Sequence, residues 1–290
     1  MTMFHRVAAT AALATGLTLH ASAQKAPDLT GLLKRAGEYV DTYASRVSGV
    51  SLDEQLMLLE TTGGQTSVPV RLASDVVLIK VGSLLLGLRD PYAIDSRKLR
   101  EKEPRVVNAL LNPTDANWQL AQRYVRENAN LLMHNMVVWY SDPTLALQFI
   151  APPNQSRLTY KLEGNKKING VQVYGVGFKE PKDGTPILDK VPGRAESSGR
   201  IWVDPATGGV HMTELWVQSQ TDTVRVQVNF APEAKLDMLL PRSATHSFEW
   251  REYGSTTASV GRAPMKLSFE TSAEYRNATY RPIDLGRAGK

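Results

Sequence analysis

An α+β fold is predicted: a large curved antiparallel sheet, an open or half β-barrel, with two or three amphipathic helices packed on its concave face. Two stretches of the first half repeat their apolar residues at spacings of three and four, while most of the second half alternates or is rich in β-branched residues. Helices do not alternate with strands as parallel crossovers require, which separates α+β from α/β.

The first 23 residues stand outside that fold. Met1 to Arg6 carries one positive charge, Val7 to Leu19 is uncharged and largely apolar, and Ala21 and Ala23 occupy the small-residue positions of a cleavage site. This pattern predicts a bacterial secretion signal cut after Ala23, and a mature chain that starts at Gln24 and works in the periplasm or outside the cell. Residues 24–290 are expected to form a single α+β domain, with helix, strands and helix over 24–135 and mainly strands over 136–285.

The strongest helix runs from Asp28 to Val47. Leu29, Leu32, Leu33, Ala36, Tyr39, Val40 and Tyr43 share one face, Asp28 is placed to cap the start, and Gly49 to stop the end. Val50 to Gly87 then changes period into three or four strands punctuated by Gly63-Gly64, Ser74-Asp75 and Gly82-Ser83. Arg89 to Lys102 is polar, and Asp90-Pro91 is expected to block regular structure there. A short helix is predicted from Pro104 to Leu111, with the proline at its first position. A longer one follows, capped by Thr114 or Asp115 and running to about Met133, with Trp118, Leu120, Ala121, Tyr124, Val125 and Leu132 on its buried face.

After Asn135 the expected strands are Val137–Tyr140, Leu145–Ile150, Arg157–Leu162, Val171–Lys179, Arg200–Val203, Val210–Ser219, Thr223–Phe230 and Lys266–Tyr275. Val224, Val226, Val228 and Phe230 face one way, and Arg225, Gln227 and Asn229 the other, so one face is dry and one wet. Asp204-Pro205-Ala206-Thr207-Gly208-Gly209 is a hairpin turn, since proline sets φ early and glycine permits positive φ late. Glu180 to Gly199 is the longest expected loop. Val76–Leu88 and Leu131–Ile150 are interrupted by Lys80, Gly82, Gly87, His134, Asp142 and Pro143, so neither is predicted to span a membrane.

Composition narrows the chemistry. The chain has no cysteine, which excludes disulfides, thiolate metal sites and a cysteine-linked lipid anchor. A formal charge of +5 is scattered among acids and forms no basic stripe, which argues against nucleic acid as a partner. His134, His211 and His246 are the histidines that survive cleavage, and none has metal-motif spacing. No P-loop, H-E-x-x-H, G-x-S-x-G or S-x-x-K occurs. No catalytic residue, metal ligand or cofactor is therefore assigned. His211 and Glu214 should point to opposite faces of one strand, and His246 and Glu249 should share a solvated loop. Arg89 to Arg105 interleaves acids and bases, a pattern expected of charges that pair in water.

Aromatic side chains are the remaining material for a binding site. Tyr39, Tyr43, Trp118, Trp139, Tyr160, Trp202, Trp216 and Phe230 are the candidate lining of an apolar pocket, on the condition that several share the concave face.

The element Ile201-Trp202-Val203-Asp204-Pro205-Ala206-Thr207-Gly208-Gly209 resembles one found in the C-terminal half of a group of exported bacterial proteins. More distantly, Leu29 to Tyr280 is similar to the periplasmic lipoprotein-carrier and sigma-regulator (LolA/LolB/RseB-like) superfamily. That resemblance implies an open β-barrel plugged by helices, with a hydrophobic cavity that accepts acyl chains or an apolar peptide. No ligand residue carries over, and Arg89–Met133 and Glu180–Gly199 depart from the pattern. The expected function is non-catalytic binding of a lipid, acylated protein or other hydrophobe. The alternatives are an envelope module that binds a protein partner and a hydrolase without a familiar motif.

Overall fold

The computed structural model describes residues 26–127, 140–181, 187–188, 195–219, 222–253 and 265–286. The predicted signal and cleavage site, Trp139 and His134 lie outside them. Helix α1, Leu29–Arg46, begins where expected, because the Asp28 carboxylate accepts a hydrogen bond from the Gly31 N–H at 2.8 Å. It buries Leu32, Ala36, Val40, Tyr43 and Ala44 against the sheet. Gly49 follows at φ +99, and a Cβ there would lie 1.9 Å from the Arg281 carbonyl oxygen, so both the turn and the close chain crossing require glycine.

Strands β1 (Val50–Thr62), β2 (Gln65–Thr66), β3 (Val70–Val81), β4 (Leu84–Ile94) and β5 (Arg97–Lys98) come next, followed by helices α2 (Arg105–Leu110) and α3 (Asp115–Glu127). A 3₁₀ helix (Leu145–Phe149) and the short α4 (Pro152–Gln155) lead into seven further strands. These are β6 (Thr159–Ile168), β7 (Val171–Lys179), β8 (Glu196–Val203), β9 (Val210–Gln218), β10 (Asp222–Glu233), β11 (Met238–Tyr253) and β12 (Met265–Tyr280).

All twelve strands belong to one antiparallel sheet, in the order β5-β4-β3-β1-β12-β11-β10-β9-β8-β7-β6, with β2 paired to β1. Among the described residues no pairing joins β5 to β6, so the sheet is open. β12 unites the N-terminal strands with the C-terminal meander, since Leu56 pairs with Ala273 on one side and Ala244 pairs with Ala273 on the other.

The α+β reading and the large antiparallel sheet hold. The dry and wet faces of β10 hold too: Val224, Val226, Val228 and Phe230 are buried, while Arg225 is exposed. On the inner face α1 and the segment 140–155 cover a core that includes Leu56, Leu78, Phe149, Phe178, Phe230 and Phe269. Helices α2 and α3 pack on the opposite face. Val77 and Ile79 of β3 meet Val106, Val107, Leu110 and Ala121 there, while their neighbours Val76 and Leu78 join the main core.

Several local expectations are corrected. Asp90-Pro91 does not interrupt the chain, because β4 runs through to Ile94. Pro91 sits opposite Ser74 at a register shift, where the missing N–H breaks no regular ladder. Pro104 is the N-cap of α2 and not its first helical residue. Leu145–Ile150 is not a strand, since a 3₁₀ helix there buries Leu145, Leu147 and Phe149 against the sheet, and the run of apolar residues fits both. Tyr140 is helical. β8 starts at Glu196, which shortens the expected Glu180–Gly199 loop. β11 was not anticipated, because Pro241, Ser243, Thr245 and Ser247 dilute its pattern. His246 and Glu249 lie on it and not in a loop; His246 is buried, and Glu249 forms an exposed ion pair with Lys266 at 3.0 Å.

Candidate functional site

Two hairpin turns grip α1 near the end of the sheet and leave a cavity of about 400 Å³ between them. The first is the β8–β9 turn. Asp204 organises it, accepting hydrogen bonds from the Ala206 N–H at 2.9 Å and the Thr207 hydroxyl at 2.6 Å. Gly208, at φ +77, brings the turn so close to α1 that a Cβ would meet the Arg35 carbonyl oxygen at 2.3 Å. The second is the β10–β11 turn, which Arg46 at the end of α1 holds by donating to the Asp237 carbonyl at 2.9 Å.

Tyr39, Tyr43, Val171, Pro232, Met238 and Leu239 make the cavity wall mainly apolar. The two tyrosine rings stack with centroids 5.6 Å apart. Two buried polar atoms in this lining, the Tyr43 hydroxyl and His211 Nδ1, have no hydrogen-bond partner. Burial raises the Tyr39 and Tyr43 hydroxyl pKa values well above the ordinary phenol range and lowers that of His211. His211 is the extra residue of a β-bulge, since Val203 pairs with Val210 while Trp202 pairs with Met212. This mainly apolar wall can hold an apolar chain, with Thr42, Arg46 and Thr207 in the same lining to bond a polar group on it.

The other candidate aromatics are dispersed. Phe230 lies in the main core and Tyr160 packs at its edge, donating its hydroxyl proton to the Phe149 carbonyl at 2.6 Å. Trp118, on α3, packs against the cluster that α2 and α3 form with β3. Trp202 and Trp216 lie on the face opposite the main core, where Lys166 sits 3.8 Å from the Trp202 ring centroid. Of the seven that lie among the described residues, Tyr39 and Tyr43 alone line this cavity. The apolar Met238-Leu239-Leu240 run was the available signal for its far wall.

A second polar cluster lies within the apolar core. Arg89 holds Glu54 bidentately at 2.5 and 2.6 Å and reaches the Ser141 hydroxyl at 2.5 Å and carbonyl at 3.0 Å, all four bonds buried. Asp142 accepts from the Gly87 N–H at 2.9 Å. Burial pushes its carboxyl up, against the lowering effect of bonds from Gly87 and Thr144. These contacts fasten the segment after residue 139 onto β4. Nearby, His246 meets the Thr271 hydroxyl at 2.6 Å, and burial with the Arg89 charge pushes it down to about 3. His211 and Glu214 point to opposite faces as expected; Glu214 serves Arg200 and the Trp202 indole. Among the described residues no group of three metal-ligating side chains occurs, and no helix is long and apolar enough to cross a membrane.

No protein-family model and no curated protein matches the chain. Solved structures do align with it along most of its length. A LolA superfamily protein from Nitrosomonas europaea is 11% identical, with 86% of this chain and 94% of that one covered at a TM-score of 0.30. A DUF1329 family protein from Desulfovibrio piger is 11% identical, with 89% and 94% covered at 0.32. A domain assigned to outer-membrane lipoprotein sorting, from Vibrio parahaemolyticus, is 9% identical, with 86% and 92% covered at 0.38. At such TM-scores these likenesses bear on no residue's role.

Proposed function

We propose that this protein is exported and binds, without chemical turnover, the apolar part of a lipid, an acylated protein or another hydrophobe between α1 and the β8–β9 and β10–β11 turns. The observation that carries the reading is the cavity of about 400 Å³, mainly apolar in its wall and within the size range of small-molecule sites. An acyl chain would occupy the surface of Met238, Leu239 and the tyrosine rings. Its polar end would lie among Thr42, Arg46 and Thr207, which share the same lining, and that is how an apolar site gains orientation. The export signal predicted for residues 1–23 supports an envelope location for such a ligand.

The test is native mass spectrometry and lipid extraction of protein expressed with its own signal. A stoichiometric lipid or acylated peptide is expected, and Leu239→Arg should abolish it without changing the thermal melting curve. An apo protein, or a ligand retained by Leu239→Arg, would refute the assignment.

A further inference from the structure

The sheet face opposite the main core carries a second depression, of about 440 Å³, across strands β9, β10, β11, β12 and β1. Its shape follows from side-chain size in two adjacent cross-strand rows. One row runs Trp216, Arg225, Ser247, Glu270 and Leu59. The next runs through Gln227, Thr245, Ser272 and Met57. Small hydroxyl residues of β11 and β12 form the floor, while Trp216 on one flank and Met57 and Leu59 on the other form the walls. At the usual inter-strand spacing the groove is about 19 Å long, the length of a short oligosaccharide.

Its charges are open to a ligand. Several ions elsewhere on this face are paired: Arg200 with Glu163 at 2.6 Å, Lys266 with Glu249 at 3.0 Å and Lys102 with Asp53 at 2.7 Å. Within the groove, Arg225, Glu270, the Gln227 amide and the Trp216 indole N–H have no partner among the described residues. One free cation, one free anion, an amide and a floor of hydroxyls supply donors and acceptors, while Glu214, which also lines the groove, is held by Arg200 at 3.3 Å. An indole beside them offers a negatively polarised face to C–H groups. A lipid would leave these polar groups unpaired, and a polyanion would meet Glu270.

We propose that this groove binds a neutral oligosaccharide, with one sugar ring stacked on Trp216 and its hydroxyls bonded to Gln227, Arg225 and Glu270. The site lies on the opposite face of the sheet from the α1 cavity and is independent of it.

The experiment is titration of the full protein with a β-1,4-linked N-acetylglucosamine tetramer and with maltotetraose, read by calorimetry and saturation-transfer NMR. At least one is expected to bind. Trp216→Ala should weaken it about tenfold, the scale of one lost anchor contact, and the exposed Arg225→Ala serves as a variant that leaves packing intact. Leu239→Arg should leave saccharide binding unchanged. Absence of binding by both probes, affinity unaffected in Trp216→Ala and Arg225→Ala, or binding only of a sulfated oligosaccharide would each overturn the proposal.

Discussion

The two faces of this sheet handle charge in opposite ways. On the inner face one pair, Glu54 and Arg89, sits within a field of leucine, valine and phenylalanine, and its remaining hydrogen-bonding capacity is met by Ser141. On the outer face, away from the Asp75 and Asp90 cluster beneath α2, charges are many, partly exposed and paired in chains such as Glu163–Arg200–Glu214. The chemistry of each contact is alike, an arginine against a carboxylate. What differs is the water each ion has lost, and that decides how much each contact weighs. A buried pair has surrendered several kcal/mol of hydration per ion and cannot tolerate losing one member, whereas an exposed pair is largely re-solvated when broken.

The largest effect should come from Arg89→Met, which strands Glu54 in the core and is expected to cost about 3–5 kcal/mol in urea unfolding. Adding Glu54→Leu should recover most of it, and a single variant as stable as the parent would mean that the inner pair is not desolvated. The next effect is pH-dependent. His246 ionises at about 3 in the folded protein and at 6.5 in the unfolded chain, so the unfolded state binds the extra proton between those values. Its contribution to stability is complete above pH 6.5 and declines by about 1.4 kcal/mol per unit as pH falls toward 3. His246→Gln should flatten the stability profile over that window, and an unchanged slope would assign the acid sensitivity elsewhere. The smallest effect is expected from Arg200→Met on the outer face, about 1 kcal/mol or less by the same unfolding measurement. A cost comparable to that of Arg89→Met would erase the contrast between the faces.

Legibility along the chain followed the strength of local periodicity. α1 was readable because its apolar spacing, its Asp28 cap and its Gly49 stop agree. β10 was readable because four apolar residues alternate with polar ones without a break. β11 escaped notice because its inward residues include His246 and its outward ones are serines and threonines, so contrast between faces is low. The Arg89–Arg105 segment was misread as solvated, since a charge shows in sequence and its burial does not: Asp90 is 1% exposed, held by Arg100 and Arg105. Of the cavity, Tyr39 and Tyr43 were legible as a helical stripe. The face of His211 was legible by alternation with Leu215 and Val217, but its place beside Tyr43 was not, because that depends on the β8–β9 turn meeting α1.

The sequence by itself determined the elements whose instructions are local: the α1 cap and stop, the Asp204–Gly209 turn, the alternation of β10 and the absence of sulfur chemistry. Only the tertiary structure decided which elements meet. It placed β12 between β1 and β11, sent α2 and α3 to the face opposite α1, and separated Trp202 and Trp216 from Tyr39 and Tyr43. Those outcomes depend on strand register and on burial shared between residues far apart in the chain. A one-residue slip reverses which face a side chain occupies, and a window of neighbouring residues carries no record of it.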